Sequence, residues 1–132
     1  MKKDIVTRKD IELLVNEFYN KVKQDKQIGF IFLDVAHVNW EKHLPVMYDF
    51  LENLLFYTGS YTGNPMQLHK HVNRLFPLTH AHFEQWYLLF STTVDEFFAG
   101  TTASLVKQRA KNIAMVMQIK ILNEPSSTDK IF

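Results

Sequence analysis

The sequence has 132 residues, and 46% of them are hydrophobic, including eleven Phe, five Tyr and two Trp. This apolar content is ample for a core and excludes intrinsic disorder. Fifteen basic and fourteen acidic residues give a net charge of +1, which predicts no nucleic-acid partner and no attraction to a membrane surface. Because there is no cysteine, disulfides, thiolate metal sites and iron–sulfur clusters are excluded.

The length predicts a single domain over residues 1–132, with a core at about 8–122 and a flexible tail at 123–132. No stretch resembles a signal peptide or reaches the ~18 uninterrupted apolar residues of a membrane-spanning helix. We therefore expect a cytoplasmic protein.

Apolar residues recur every three or four positions near the start of the chain, which predicts an amphipathic helix with a weak capping box at Thr7 and Asp10. This stripe contains Ile11, Leu14, Val15, Phe18, Tyr19 and Val22. Residues 28–33 are too few for more than one or two turns, so we expect a connector packed on the core.

The same spacing predicts a second helix, which Asn39 caps and Gly59 ends. Its stripe contains Trp40, His43, Leu44, Met47, Leu51, Leu54, Leu55 and Thr58. Pro45 removes a backbone donor, so the helix is expected either to be kinked or to begin at Pro45. Residues 58–65 are rich in turn formers and predict a loop.

Two further helices complete the predicted order. Thr79 is expected to cap the third, which Gly100 ends, and the fourth extends from about Thr102 to Leu122. The predicted inward residues are Phe83, Trp86, Tyr87, Phe90, Val94, Phe97 and Phe98 in the third, and Leu105, Val106, Ala110, Ile113, Met117 and Ile121 in the fourth. Because no run alternates with period two, the sequence predicts an all-α fold.

Two residues are candidates for chemistry rather than packing. His69 lies on a segment too short to be stable by its own helicity, and a bond to a haem iron would fix it. Tyr19 lies on an inward stripe, where a buried hydroxyl needs a partner such as a bound diatomic gas. Each also has an ordinary interpretation, as a surface histidine in a loop and as a core tyrosine.

Two more residues lie on inward helical faces. His43 shares a face with Trp40 and Met47, so it can point inward as a second donor, a gate or a second iron ligand, or outward into solvent. Trp86 is central in the most apolar stripe and is most simply core, but its indole N–H needs an acceptor, which a bound ligand or Tyr19 would supply.

Two other functions remain open at this point. One is a divalent-metal site built from the histidines His69, His71, His80 and His82. Helical geometry argues against it, because His80 and His82 point to different sides and no supporting carboxylate follows at a suitable spacing. The other is a haem-free helical interaction module that uses Phe90, Phe97 and Phe98.

Five segments, in their order and spacing, resemble one known family. They are Glu17-Phe18-Tyr19-Asn20-Lys21-Val22, Trp40-Glu41-Lys42-His43, Gly63-Asn64-Pro65 with His69 four residues later, Phe76-Pro77, and His82-Phe83-Glu84-Gln85-Trp86. They look like the truncated haemoglobins, specifically group III, over residues 8–122. The resemblance implies a two-over-two helical sandwich, which is a globin with a reduced first helix and a mostly non-helical proximal segment.

The resemblance also implies roles for particular residues. His69 matches the proximal iron ligand, Tyr19 the distal hydrogen-bond donor and His43 the distal histidine, while Trp86 matches a residue that lines the distal pocket. Expected apolar haem contacts are Phe18, Phe32, Met47, Leu68, Val72, Phe76 and Phe83, and expected propionate partners are Lys42, Lys70 or Arg74. Two residues depart from the pattern, because Pro45 could rotate His43 outward and His71 could replace His69.

The sequence therefore predicts a protein that holds haem b without a covalent bond and binds O₂, CO or NO. Several distal donors favour the reaction of O₂ with NO, or peroxide reduction, over oxygen transport. Such an NO dioxygenase or peroxidase-like activity implies a reductase partner, which the sequence does not identify.

Overall fold

The computed structural model describes residues 2–59, 69, 73 and 77–122. Five helical elements have described bounds, four of them α-helices and one a π-helical turn, and residues 29–30, 69 and 73 are helical as well. The five elements are α1 (Arg8–Gln24), the π-helical turn (Ile31–Val35), α2 (Trp40–Phe56), α3 (His80–Phe97) and α4 (Thr101–Leu122). Extended pairing in the described ranges is limited to an isolated bridge between Lys3 and Phe98, so the all-α prediction is confirmed.

The start of α1 has the predicted capping box. The Asp10 N–H lies 3.3 Å from the Thr7 hydroxyl oxygen, and the Thr7 N–H donates to the Asp10 carboxylate at 3.0 Å. All six residues of the predicted apolar stripe are buried. This helix therefore forms with the face and the start that its sequence predicts.

α2 begins at Trp40, with Asn39 as its cap, and continues through Pro45. The alternative that the helix begins at Pro45 is therefore wrong. Gly59 does not end the helix either, because the last helical residue is Phe56 and Tyr57 takes the left-handed conformation, with φ of 56°. Asn53 closes this end, since its carbonyl accepts the Tyr57 N–H at 2.9 Å and its side chain accepts the Gly59 N–H at 2.7 Å.

α3 starts at the predicted cap but ends before Gly100. The Thr79 hydroxyl accepts the His82 N–H, and the His82 ring accepts the Thr79 N–H through Nδ1 at 3.0 Å. The helix stops at Phe97 because Phe98 is extended and pairs with Lys3, whose carbonyl accepts the Ala99 N–H at 3.0 Å.

The first turn of α4 is capped by a residue from the other end of the sequence. The carboxylate of Asp4 accepts the N–H of Thr102 at 2.9 Å and that of Ala103 at 2.8 Å. Most of the predicted inward stripe is buried or half-buried, but Leu105 is 37% exposed, so its inward placement is wrong. Its neighbour Val106 takes the inward position.

The helices form two stacked pairs. α1 packs against α2 and α3, α3 packs against α4, and α2 also touches α4. One apolar cluster lies between the pairs and is built from all four helices together with Ile5, Ile28, Ile31 and Leu78. This arrangement is the predicted two-over-two sandwich. In the ranges described, none of the helices combines the length and apolar character needed to cross a membrane.

Candidate functional site

Tyr19 and His43 meet in the interior between α1 and α2. The Tyr19 side chain is 3% exposed, and its Oη lies 2.9 Å from Nε2 of His43, within hydrogen-bond distance. Burial raises the pKa of the Tyr19 phenol well above its ordinary value. The hydroxyl therefore keeps its proton and can donate a hydrogen bond across the whole neutral range.

His43 is held inward and is neutral. Its first-turn backbone is regular, because its N–H donates to the Asn39 carbonyl at 2.8 Å, and the outward rotation that Pro45 might have caused is not observed. Burial lowers the pKa of His43, and the positive charge of His69 lowers it further. Since such an effect is screened beyond about 10 Å, it indicates that His69 lies in the same region of the fold as His43.

Two aromatic residues enclose the pair on one side. The Trp40 ring lies 5.2 Å from that of Tyr19 and 5.9 Å from that of His43, measured between centroids. Phe32 stacks on Trp40 at 6.4 Å and meets Tyr19 edge-on at 5.9 Å. These rings give the pair an apolar surrounding of low dielectric constant, in which a hydrogen bond is stronger than in water.

The π-helical turn puts Phe32 in this position. Asp25, which follows α1, accepts the N–H groups of Gln27 and Ile28 and a hydrogen bond from Gln85 of α3 at 2.6 Å. Gly29 lets the turn approach α1 closely, because a Cβ there would lie 2.8 Å from the Val22 carbonyl oxygen. The sequence predicted a short connector here, but its π-helical form could not be foreseen.

Trp86 is connected to the pair through Phe18. Phe18 contacts Tyr19 at 4.9 Å and meets Trp86 edge-on at 5.9 Å, while Phe90 stacks on Trp86 at 5.8 Å. The Tyr19 hydroxyl bonds to His43, and the two rings of Tyr19 and Trp86 are linked through Phe18. Trp86 is half-buried, as a residue that lines a pocket would be.

Comparison with known proteins decides the family. The bacterial-like globin family matches residues 4–121. The group 3 truncated haemoglobin ctb of Campylobacter jejuni is 30% identical over 121 residues, which cover 89% of this chain and 93% of that protein. The chain belongs to the group III truncated haemoglobins. The crystal structure of the group III truncated haemoglobin from Campylobacter jejuni agrees, with a TM-score of 0.80 and 28% identity over 92% of this chain and 95% of that one.

Membership of a globin family implies haem binding and diatomic gas ligands for this truncated haemoglobin. The described residues fit that cofactor. Imidazole is a usual axial ligand of haem iron, and the charge of His69 acts on His43, which bonds to the Tyr19 phenol. Phe32 contacts the Tyr19 ring, and the half-buried side chains of Met47 and Trp86 pack on the same apolar core.

The other predicted contacts fall into three sets. Phe18 and Phe83 are buried, but Phe83 lines a groove between α3 and α4. Lys42 is exposed at the start of α2, where its backbone N–H donates to Asn39. The remaining candidates, Leu68, Lys70, His71, Val72, Arg74 and Phe76, lie outside the described residues.

The alternative functions are not favoured. His80 bonds to Gln118 and lies 2.7 Å from Glu84, while His82 belongs to the α3 cap, so these rings serve different partners. Glu84 is a carboxylate at a supporting spacing, contrary to the sequence analysis, yet the described part of the chain contains no group of three metal-binding side chains. The Phe-rich face is also unsuited to partner binding, because Phe90 and Phe98 are buried.

Trp40 was predicted as part of the inward stripe of α2, but not as a neighbour of Tyr19. The signal for the stripe was present, since Trp40 lies three residues before His43 on the same helical face. Its contact with Tyr19 depends on the angle between α1 and α2, which spacing within one helix does not determine.

Proposed function

We propose that this globin holds haem b non-covalently, with His69 as the iron ligand and with Tyr19, His43 and Trp86 on the side where O₂, CO or NO binds. The observation that carries the proposal is the partly buried contact between Tyr19 and His43, with His69 close enough for its charge to act on His43. Family membership supports the cofactor, and the surrounding apolar side chains support a dry site.

Bound haem would supply a ferrous iron that binds a diatomic gas. Neutral His43 carries one ring proton, and we propose that this proton is on Nε2 and is donated to the Tyr19 oxygen. The Tyr19 hydroxyl proton is then free to be donated to the gas. If the proton of His43 were on Nδ1 instead, Nε2 would accept the Tyr19 hydroxyl proton. Tyr19 could then no longer donate that proton to the gas, so the tautomer of His43 determines whether Tyr19 is a donor.

The reaction we propose is the oxidation of NO by O₂ to nitrate, with peroxide reduction as the second candidate. In the first reaction O₂, NO and one electron from ferrous haem give nitrate and ferric haem, so a reductase must return the electron. A protonated phenol beside a neutral imidazole favours this chemistry over transport, because donors that bond to a partly negative oxygen slow its release.

The decisive experiment is the absorption spectrum of the purified chain with added haem, before and after reduction and CO addition. We expect a sharp Soret band that shifts with CO in the wild type and in His80→Ala, a control that changes an exposed histidine. In His69→Ala we expect the sharp, CO-responsive Soret band to be lost. If His71→Ala loses it instead, then His71 is the ligand, and if no variant binds haem in stoichiometric amounts, the proposal fails.

The reaction itself is tested by mixing NO with the reduced, O₂-saturated, haem-loaded protein. We expect rapid formation of one nitrate and one ferric haem for each NO consumed. Slow NO consumption together with rapid turnover of hydrogen peroxide would instead favour the peroxidase-like candidate.

A further inference from the structure

We infer that Trp40 is a positioning residue for the Tyr19–His43 pair, and that Lys23 holds Trp40 in place. The inference rests on the proposed function in one respect, which is that a gas binds beside this pair. The arrangement of the rings is a property of the chain itself.

Trp40 closes a triangle of rings. The centroid distances are 5.1 Å between Tyr19 and His43, 5.2 Å between Tyr19 and Trp40, and 5.9 Å between Trp40 and His43. The two rings of the pair come from different helices, and one hydrogen bond between them leaves each ring able to rotate. Because the indole meets both rings at steep angles of 60° and 79°, it restricts both rotations at once.

The ammonium group of Lys23 fixes the indole from the side of α1. Its Nζ lies 4.4 Å from the Trp40 centroid, a distance typical of a cation–π contact, and tryptophan gives the strongest such contacts. Lys23 is four residues after Tyr19, so the two side chains lie on the same face of α1. Helix α1 therefore contacts Trp40 through both side chains.

Other cation–π contacts of the described residues are longer and lie elsewhere. Lys21 lies 5.7 Å from the Phe97 centroid and also pairs with Glu96, and Arg109 lies 5.6 Å from the Tyr57 centroid at the far end of α2. The contact of Lys23 with Trp40 is thus the one that joins the last turn of α1 to the first turn of α2, beside the buried pair.

Phe32 supports the indole from the π-helical turn, stacking on it at an interplanar angle of 24°. Trp40 therefore links α1, the π-helical turn and α2. Weakening the contacts that fix Trp40 should change the orientation of the Tyr19 and His43 side chains without removing either hydrogen-bond donor.

The test compares Lys23→Met, which keeps the length of the side chain but removes its charge, with Lys23→Arg, which restores a cation. Lys26→Met, at an exposed position three residues later, is the matched control. The readout is the C–O stretching band of the reduced, CO-loaded protein, which reports the donors near the gas. We expect Lys23→Met to shift or split the band and to speed O₂ dissociation by about two- to fivefold, and Lys23→Arg to restore both.

Trp40→Phe and Trp40→Leu extend the series. Phenylalanine keeps a ring between the pair and the cation, so it should retain more of the wild-type band than leucine does. If Lys23→Met leaves both the band and the O₂ dissociation rate at wild-type values, the inference is overturned.

A second measurement separates this inference from the proposed function. If the chain fails to take up haem, the proposed function fails, and the inference is then tested by ¹⁵N NMR of the His43 ring in the haem-free chain. We expect Lys23→Met to change the tautomer ratio or the line width of this signal, whereas Lys26→Met leaves both unchanged. An unchanged His43 signal in Lys23→Met would overturn the inference here too.

Discussion

The Tyr19 hydroxyl lies 2.9 Å from Nε2 of His43, and burial shifts the pKa values of the two groups in opposite directions. The pKa of the phenol rises and that of the imidazole falls, so both groups are uncharged near neutral pH. A neutral pair can be buried at lower cost than a charged one, and its hydrogen bond keeps both polar groups satisfied.

Replacing Tyr19 by phenylalanine removes the proposed donor to bound gas together with its hydrogen bond to His43. In the haem-loaded protein we expect O₂ dissociation to accelerate by roughly ten- to a hundredfold, the range for losing a hydrogen bond to a partly charged acceptor. Stopped-flow spectroscopy measures the rate. Tyr48→Phe is the control, because it removes a hydroxyl that bonds to Asn16. An unchanged rate in Tyr19→Phe would show that the tyrosine is not the donor.

The influence of His69 on His43 can be measured without haem. Removing the positive charge in His69→Ala should raise the pKa of His43, yet leave it below the ordinary value of 6.5, because burial is the larger cause of its depression. NMR titration of the His43 ring measures the pKa. His80→Ala, at an exposed position on α3, should not change it, and an equal pKa in wild type and His69→Ala would contradict the proximity of the two rings.

The cap that Asp4 provides to α4 should make stability depend on pH. Burial opposes the ionisation of Asp4, but the bonds from the N–H groups of Thr102, Ala103 and Ile5 outweigh it, and the pKa lies below the ordinary 3.8. A carboxyl whose pKa is lowered by folding stabilises the fold above 3.8, and this contribution is lost as the pH falls through the lower folded value.

Because Asp4→Asn keeps one acceptor oxygen but removes the charge, we expect it to lose about 0.3–1 kcal/mol of unfolding free energy near neutral pH, and the difference from wild type to shrink below pH 3.8. Urea unfolding at several pH values measures it. The exposed Asp34→Asn serves as the control, and a difference that stays constant with pH would argue against an ionised cap.

Of two glycines with positive φ, Gly100 should lose more unfolding free energy than Gly59 when it is replaced by alanine. At Gly100, with φ of 139°, an added Cβ would lie 2.5 Å from Cγ of Asp4, whereas Gly59, with φ of 74°, has open space around it. Gly100→Ala combines backbone strain with a clash and should cost about 2–4 kcal/mol of unfolding free energy, against about 1 kcal/mol for Gly59→Ala. Equal losses in thermal or urea unfolding would show that Asp4 moves away freely.

The parts of the fold that depend on local sequence were predictable. The stripe of α1 and the caps at Thr7, Asn39 and Thr79 follow from spacing and side-chain chemistry within one turn. One error lies where distant parts of the chain decide the outcome. α3 ends early because Lys3 pairs with Phe98, which no pattern near Gly100 records.

The candidate site also has a part that local sequence predicts and a part that depends on the packing of helices. The inward orientation of Tyr19 follows from helical periodicity, but its contact with His43 requires the packing of α1 on α2. The resemblance to a family assigned both residues to the distal side but did not predict their contact. The place of Phe32 depended on the π-helical turn, whose extra residue per turn has no clear sequence signal.

The contact between Asp4 and the start of α4 also constrains the order of folding. Residue 4 leaves the ribosome long before residues 102 and 103, so the Asp4 carboxylate cannot cap α4 until almost all of residues 1–103 have been made. Contacts between residues so far apart in sequence bear a large entropy of loop closure and tend to slow folding. The first turn of α4 is therefore capped only when the N-terminal residues pack against it, so this contact forms late in folding.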